Sequence, residues 1–380
     1  ALTSAQITAL GDDAVAFDTA QLAALTTANA GGLTTNTMVA LSSDQVAALD
    51  ADIDAASTTH LAALTTANIK GLTASALGAM NSAQVTALGS DASALGTTQL
   101  AALGTANVAG IATAAMAAMS SDQLAAIGDD AVALATGQLA ALTTGSVKGL
   151  TANSVAALGS DQVAALGDDA SGLGTAQLAV LTTANVVGLT AAAVGAMGSG
   201  QVAALGTTVD ELGTAHFAAL TTTSVKGITT AAVAALSSSQ VTALGTDAAA
   251  LLTGQLSALT TTNIVGLTTA TVAALSSDQV SALGADASAF GTGNLAALTT
   301  LNIKGLSTTA VAALSSAQVS ALGADASAMG TGQLAELTST SIVGLPRESR
   351  ISRASMESMK VVILGPSRRR PADLGARRCR

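Results

Sequence analysis

Eight carboxylates recur at one place along the chain: Asp13, Asp52, Asp91, Asp130, Asp169, Asp247, Asp286 and Asp325, with Thr208 standing where a ninth would fall. A row of carboxylates is the chemistry of a hard cation, and calcium is the one it would suit. Calcium takes about six to eight oxygen ligands. One Asp per recurrence, even with Asp12, Asp129 and Asp168 beside it, supplies too few. The Gly-Gly-x-Gly-x-Asp nonapeptide of calcium β-rolls is also missing. Asp is among the best residues for starting a helix, because its side chain accepts a free backbone N–H. Asp286 is therefore expected to cap the piece DASAF, and a calcium-responsive module is the alternative use of the row.

The remaining reactive side chains are sparse. Before residue 346 the only cations besides the histidines are Lys70, Lys148, Lys226 and Lys304, each 78 residues apart. They could form a cationic row for an anionic polymer, spaced roughly 16–20 Å apart at helix-packing distances. That spacing exceeds the screening length at physiological salt, so the expected reading is a solvated position fixed by duplication of paired units. His60 and His216 stand where Gln99, Gln138 and Gln177 stand elsewhere. A metal site needs three or four converging ligands, which two isolated histidines do not provide. Phe17, Phe217 and Phe290 fall at apolar places, and Trp and Tyr are absent. The aromatic platforms that stack sugars or single-stranded nucleic acid are thus missing. A catalytic centre needs one unique constellation. No Ser–His–Asp grouping or phosphate loop stands out, so neither an enzyme nor a cofactor is expected.

The elements carrying these residues come from one phrase repeated at a fixed period. Units begin at Leu2, Leu41, Met80, Met119, Leu158, Met197, Leu236, Leu275 and Leu314, a step of 39 residues without insertion. The ninth stops at Leu345. Residues 275–313 divide into LSSDQVSA, LGADASA, FGTGNLAA, LTTLNIKG and LSTTAVAA. Apolar residues three apart, as in Val280 and Leu283, fit short helices rather than strands. Ser276 and Gln279 have the spacing of a capping box, in which the hydroxyl and the amide satisfy reciprocal backbone N–H groups. Gly284 recurs in eight units and is Asp50 in the other. It suits a left-handed helix end. Gly305 recurs in all nine, either as a second stop or where neighbouring coils approach too closely for a side chain.

Helices this short do not hold alone, because nucleation is unfavourable. Stacking like units would bury a shared Leu/Val/Ile/Ala core. The fold class expected is all-α: a solenoid of nine 39-residue coils over 1–345, about 70–90 Å long at helix-packing distances. A β-solenoid is the alternative.

Charge and composition agree with an array. The segment 346–380 holds ten Lys and Arg against three acids; the preceding residues hold four Lys against 21 acids, a balance of −17. An acidic body repels phosphate, so nucleic acid is not an expected partner of the repeats. The basic segment reads as a poorly ordered arm or a foreign tail. The single cysteine, Cys379, lies in it, so the repeats have no disulfide framework. The chain opens on Ala1 without a visible signal peptide, and an N-terminal part is expected to precede it. Residues 170–209 are uncharged, but Thr, Gly, Gln and Asn interrupt them, so no membrane span is expected.

The words LTSAQ (2–6) and LTTAN (25–29) resemble the long Leu-Thr-x-x-Gln arrays of very large bacterial surface or secreted proteins described as adhesin-like, RTX-like or haem-utilisation proteins. The resemblance covers 2–345. It implies an extracellular or cell-surface location, a non-catalytic role, and cell-surface or matrix components as partners. It assigns no site residue. Leu275 to Leu283 are also similar to the opening of transcription activator-like effector repeats, but the basic residues of such DNA binders are missing.

Overall fold

Each phrase of the repeat folds as a helix of under two turns. In the computed structural model, which describes residues 2–346, the repeat from Leu275 forms α-helix Ser277–Ala282, 3-10 helix Gly284–Ala289, α-helix Thr292–Ala296, 3-10 helix Ile303–Gly305 and α-helix Thr308–Ala313. These are called here the first to fifth elements, and the same order runs through the chain. Among the described residues there is no strand, which overturns the β-solenoid alternative. The basic tail lies outside the described residues from 347 onward.

The capping words work as their chemistry requires. Ser276 Oγ accepts the Gln279 N–H at 3.2 Å, and Gln279 Oε1 accepts the Ser276 N–H at 2.9 Å. The apolar residues that open and close each phrase face inward. Leu275, Val280, Leu283, Phe290, Leu295, Leu298, Ile303 and Leu306 are each no more than 3% exposed. Phe217 is likewise buried, while Phe17 is only half-buried.

Two local expectations change. The expected left-handed helix end has positive φ at Gly284, but the counterparts Gly11 and Gly128 have ψ of −134° and −141°. This lies outside the left-handed helical region, where ψ is about +47°. The glycine turns the chain straight into the 3-10 helix instead of ending helical structure. As a result Asp286 is not an N-cap. It is the third residue of Gly284–Ala289, whose cap position is Leu283 and has no side-chain cap bond. With the second element following the first directly, no polar cap position is left between them.

Gly305 resolves to the close-approach alternative. A Cβ built there would lie 2.1 Å from the Ser277 carbonyl oxygen. The other repeats place a glycine in the same way, as at Gly149 against Ser121 and Gly188 against Ser160.

The chain divides into two compact units at the Leu236–Ser237 junction. In each unit the packing rule is the same: an element packs on the element three places on. Thus Thr97–Leu100 packs on Ser121–Ile127, which packs on Ser146–Gly149; in the second unit Thr253–Leu256 packs on Ser277–Ala282, which packs on Ile303–Gly305. One packing turn therefore takes in three elements, 23 or 24 residues from Leu275 to Leu298 or Phe290 to Leu314. This corrects the expected 39-residue coil. The sequence repeat has five elements, so one repeat is a full turn and two elements more.

Candidate functional site

The mismatch between repeat and turn decides where every candidate residue lies. Elements three apart form columns, so each unit has three. A step of five elements moves a residue to a different column. In the first unit Asp13, Asp52 and Asp91 lie in three different columns, and Asp130 returns to the column of Asp13 only after five turns. Asp169 follows Asp130 as Asp52 follows Asp13. In the second unit Asp247, Asp286 and Asp325 again occupy three columns. The row suggested by the sequence is thus dispersed around each unit. Among the described residues no three His, Cys, Asp or Glu side chains gather as a metal site would require.

Lysines are dispersed by the same geometry. Lys70, Lys148 and Lys226 are exposed on fourth elements ten elements apart, three turns and one element, so each is in a different column. The cationic row expected from their spacing is not formed in the first unit.

What the polar side chains do form is a set of clamps between turns. The first-element glutamine uses both ends of its amide. Gln279 Oε1 holds its own helix cap, while Nε2 donates to the Ala249 and Leu251 carbonyls of the preceding turn at 2.8 and 2.9 Å. Gln123 reaches Ser93 and Leu95, both at 2.8 Å. Third-element glutamines do likewise, Gln177 Nε2 reaching the Val147 and Leu150 carbonyls at 3.0 and 2.6 Å. On the fourth element, Asn302 Nδ2 reaches Val272 and Leu275, both at 3.0 Å. Asn302 is 1% exposed and Gln177 7%, so these amides are buried with their partners. An unpaired buried amide would cost about 1–3 kcal/mol, and none of the described buried side-chain polar atoms lacks a partner.

His216 fits this scheme in place of glutamine, and His60 takes only its helix-start half. His216 Nε2 lies 2.7 Å from the Leu189 carbonyl oxygen, on the preceding turn. His60 Nδ1 lies 2.7 Å from Ser57 Oγ, at its own helix start.

Carboxylates beside the dispersed row do a related job. Asp129 accepts from Thr151 Oγ1 at 2.6 Å and Asn153 Nδ2 at 3.1 Å. Asp12 accepts from Thr34 and Asn36 at 2.9 and 3.1 Å, and Asp168 from Thr190 at 2.9 Å. The donors to Asp129 hold its carboxyl below the ordinary aspartate range, Thr151 first and Asn153 second. Within the row itself, Asp169 accepts a hydrogen bond from Thr144 Oγ1. The sequence reading overlooked the amide clamps. Their signal was present, because Gln recurs three residues after the start of every first element and most third elements, and Asn at the same place in most fourth elements.

A groove of about 580 Å³ is lined in part by Thr144, Lys148, Ser171, Thr175 and Gln201. Its polar wall belongs to the same clamps: Gln201 Nε2 donates to the Ser171 and Leu173 carbonyls, both at 2.8 Å. Among the described residues no helix is long and apolar enough to cross a membrane.

No curated protein and no solved structure matches the chain. A family model described as the ALTTAQ repeat matches residues 14–51, 131–168, 171–207, 209–246, 248–285 and 288–324. The matched segments cover more than half of the sequence and recur with the period of the five-element phrase, and on that ground the chain belongs to the ALTTAQ repeat family.

Proposed function

We propose that the repeats are a non-catalytic structural or adhesive array within a large secreted or cell-surface bacterial protein, whose partners are cell-surface or matrix components. One observation carries this reading. The recurring amides, Gln123, Gln177, Gln279 and Asn302 among them, hold one turn to the next instead of converging on a ligand. Side chains used in this way let an array extend by repetition, since each added turn brings both its donors and its acceptors. Dispersal of the Asp positions around each unit, and of the Lys positions around the first, also suits a structural role over one recognition face. The test is protease treatment of intact cells that produce the chain, followed by immunoblotting. Loss of the chain from intact cells is the expected result. Resistance until the cells are lysed would place it inside and end the proposal.

A further inference from the structure

The junction between Asp50–Ala55 and Thr58–Leu61 lacks three things that its counterparts in other repeats have. The first is an apolar anchor. Ala56 opens the third phrase where the other repeats place Leu, Phe or Met, and Leu95, Leu134 and Phe290 are each 1% exposed there. Ala offers the core less apolar surface than these residues do. The second is a clamp to the preceding turn. Gln138, His216 and Gln333 each reach the carbonyl 27 positions back at 2.7 Å. His60 bonds Ser57 Oγ instead, and among the described residues it makes no bond to the Leu33 carbonyl. The third is an unstrained entry, because Asp50 holds the positive φ that glycine holds in the other eight repeats.

The clamp that reaches this junction from the following turn is also long. Gln84 Nε2 lies 3.3 Å from the Ala56 carbonyl oxygen, whereas Gln123, Gln162 and Gln201 reach the counterparts Leu95, Leu134 and Leu173 at 2.8, 2.9 and 2.8 Å. A folded unit opens first where burial and bonding are least. Ser57, Thr58 and Thr59 are exposed, and small polar residues at an exposed turn are the preferred place for proteolytic nicking.

We infer that the Ala56–Ser57 peptide bond is a proteolytic processing site, reached by local opening of residues 50–61 and fitted to an endopeptidase that takes a small aliphatic residue on the acyl side. Hydrolysis adds one water across the bond: the Ala56 carbonyl carbon becomes a carboxylate, and the Ser57 nitrogen leaves as an amine. Residue type alone would not single out this bond. Four of the five phrases from Leu275 to Ala313 end in Ala, so bonds after Ala recur along the array. Opening makes the choice, because an endopeptidase cleaves the opened form at a rate set by its population. That opening belongs to the chain itself and does not depend on where the chain resides.

The test is limited digestion of the purified 380-residue chain with an elastase, which cuts after small aliphatic residues, followed by N-terminal sequencing of the products. Within residues 2–346 the first cut is expected after Ala56, giving a fragment that begins at Ser57. The double variant Asp50→Gly, His60→Gln leaves the cut bond unchanged and carries the residues that most other repeats have. It is expected to slow this cut about tenfold, as one regained buried amide bond would do. The triple variant Gly89→Asp, Leu95→Ala, Gln99→His moves the same features one repeat on and is expected to gain a second cut directly after position 95. Circular dichroism checks that both variants keep their helix. Should the triple variant lose it, the double variant decides alone. A first cut elsewhere within 2–346 overturns the proposal. So does a double variant cut after Ala56 at the original rate, or a folded triple variant that stays whole at position 95.

Discussion

Gly305 lies so close to Ser277 that a Cβ on the glycine would stand 2.1 Å from the serine carbonyl oxygen. The two residues are 28 positions apart and belong to successive packing turns. Backbone meets backbone here, and neither side can swing away as a side chain could. Gly305→Ala is therefore expected to lower stability by about 1–3 kcal/mol, the usual cost of overpacking. Gly31→Ala serves as the control, because a Cβ there meets nothing within 4 Å. Thermal melts of the two variants check this, and equal melting temperatures would refute the close-approach reading.

Asp50 stands where eight other repeats have glycine, and it is the single non-glycine residue with positive φ among those described, at 42°. Backbone strain of this kind costs on the order of 1–3 kcal/mol. Its carboxylate recovers part of that by accepting from Thr73 Oγ1 at 2.9 Å, a surface contact of roughly 1 kcal/mol. Asp50→Gly is expected to raise the melting temperature. A fall would mean that the Thr73 bond outweighs the strain.

Asp129 should titrate below the ordinary aspartate range, because Thr151 and Asn153 donate to its charged form. The sign follows from linkage: a carboxyl whose folded pKa is depressed adds stability above its unfolded pKa and loses it as pH falls through the folded value. Carbon-13 NMR of the carboxyl group measures the midpoint directly. Asn153→Ala removes the second donor and should move the midpoint up. No movement would show that Asn153 does not act on the carboxylate.

The packing turn can be tested covalently. A Cβ on Gly293 would lie 3.6 Å from Thr269 Cγ2, although the two are 24 residues apart. In a Cys379→Ser background, Thr269→Cys with Gly293→Cys is expected to form a disulfide on mild oxidation, since a sulfur in the place of Thr269 Cγ2 would lie beside the new Cβ. Thr269→Cys with Thr308→Cys joins equivalent places one repeat apart and should not bridge. The opposite pattern on a non-reducing gel would restore the 39-residue coil.

Much of the local structure was legible in the residues. The Ser276–Gln279 box, the division into five pieces and the buried places from Leu275 to Leu306 all follow from side-chain chemistry and spacing. The turn was not legible. Sequence periodicity counts when the words recur, whereas the number of elements in a turn depends on the angles between them. Asp286 was misplaced for a related reason: its element begins without a break after Leu283, so the residue that looked like a start is already inside. The dispersed Asp and Lys positions then follow, because a row in the sequence becomes a row in space only when repeat and turn coincide.

The two periods bear on how such an array changes with copy number. Loss of one repeat, for instance residues 119–157 in the first unit, removes five elements and joins a fifth element to a first, as everywhere else. Every clamp and every close glycine contact can re-form, so the fold hardly registers the deletion. The surface does register it, because all later side chains of that unit are re-aimed by two columns of three. Gain or loss of three repeats restores their bearing. Unequal recombination in such a gene would thus act as a rotary dial on what the protein presents, with little effect on its stability.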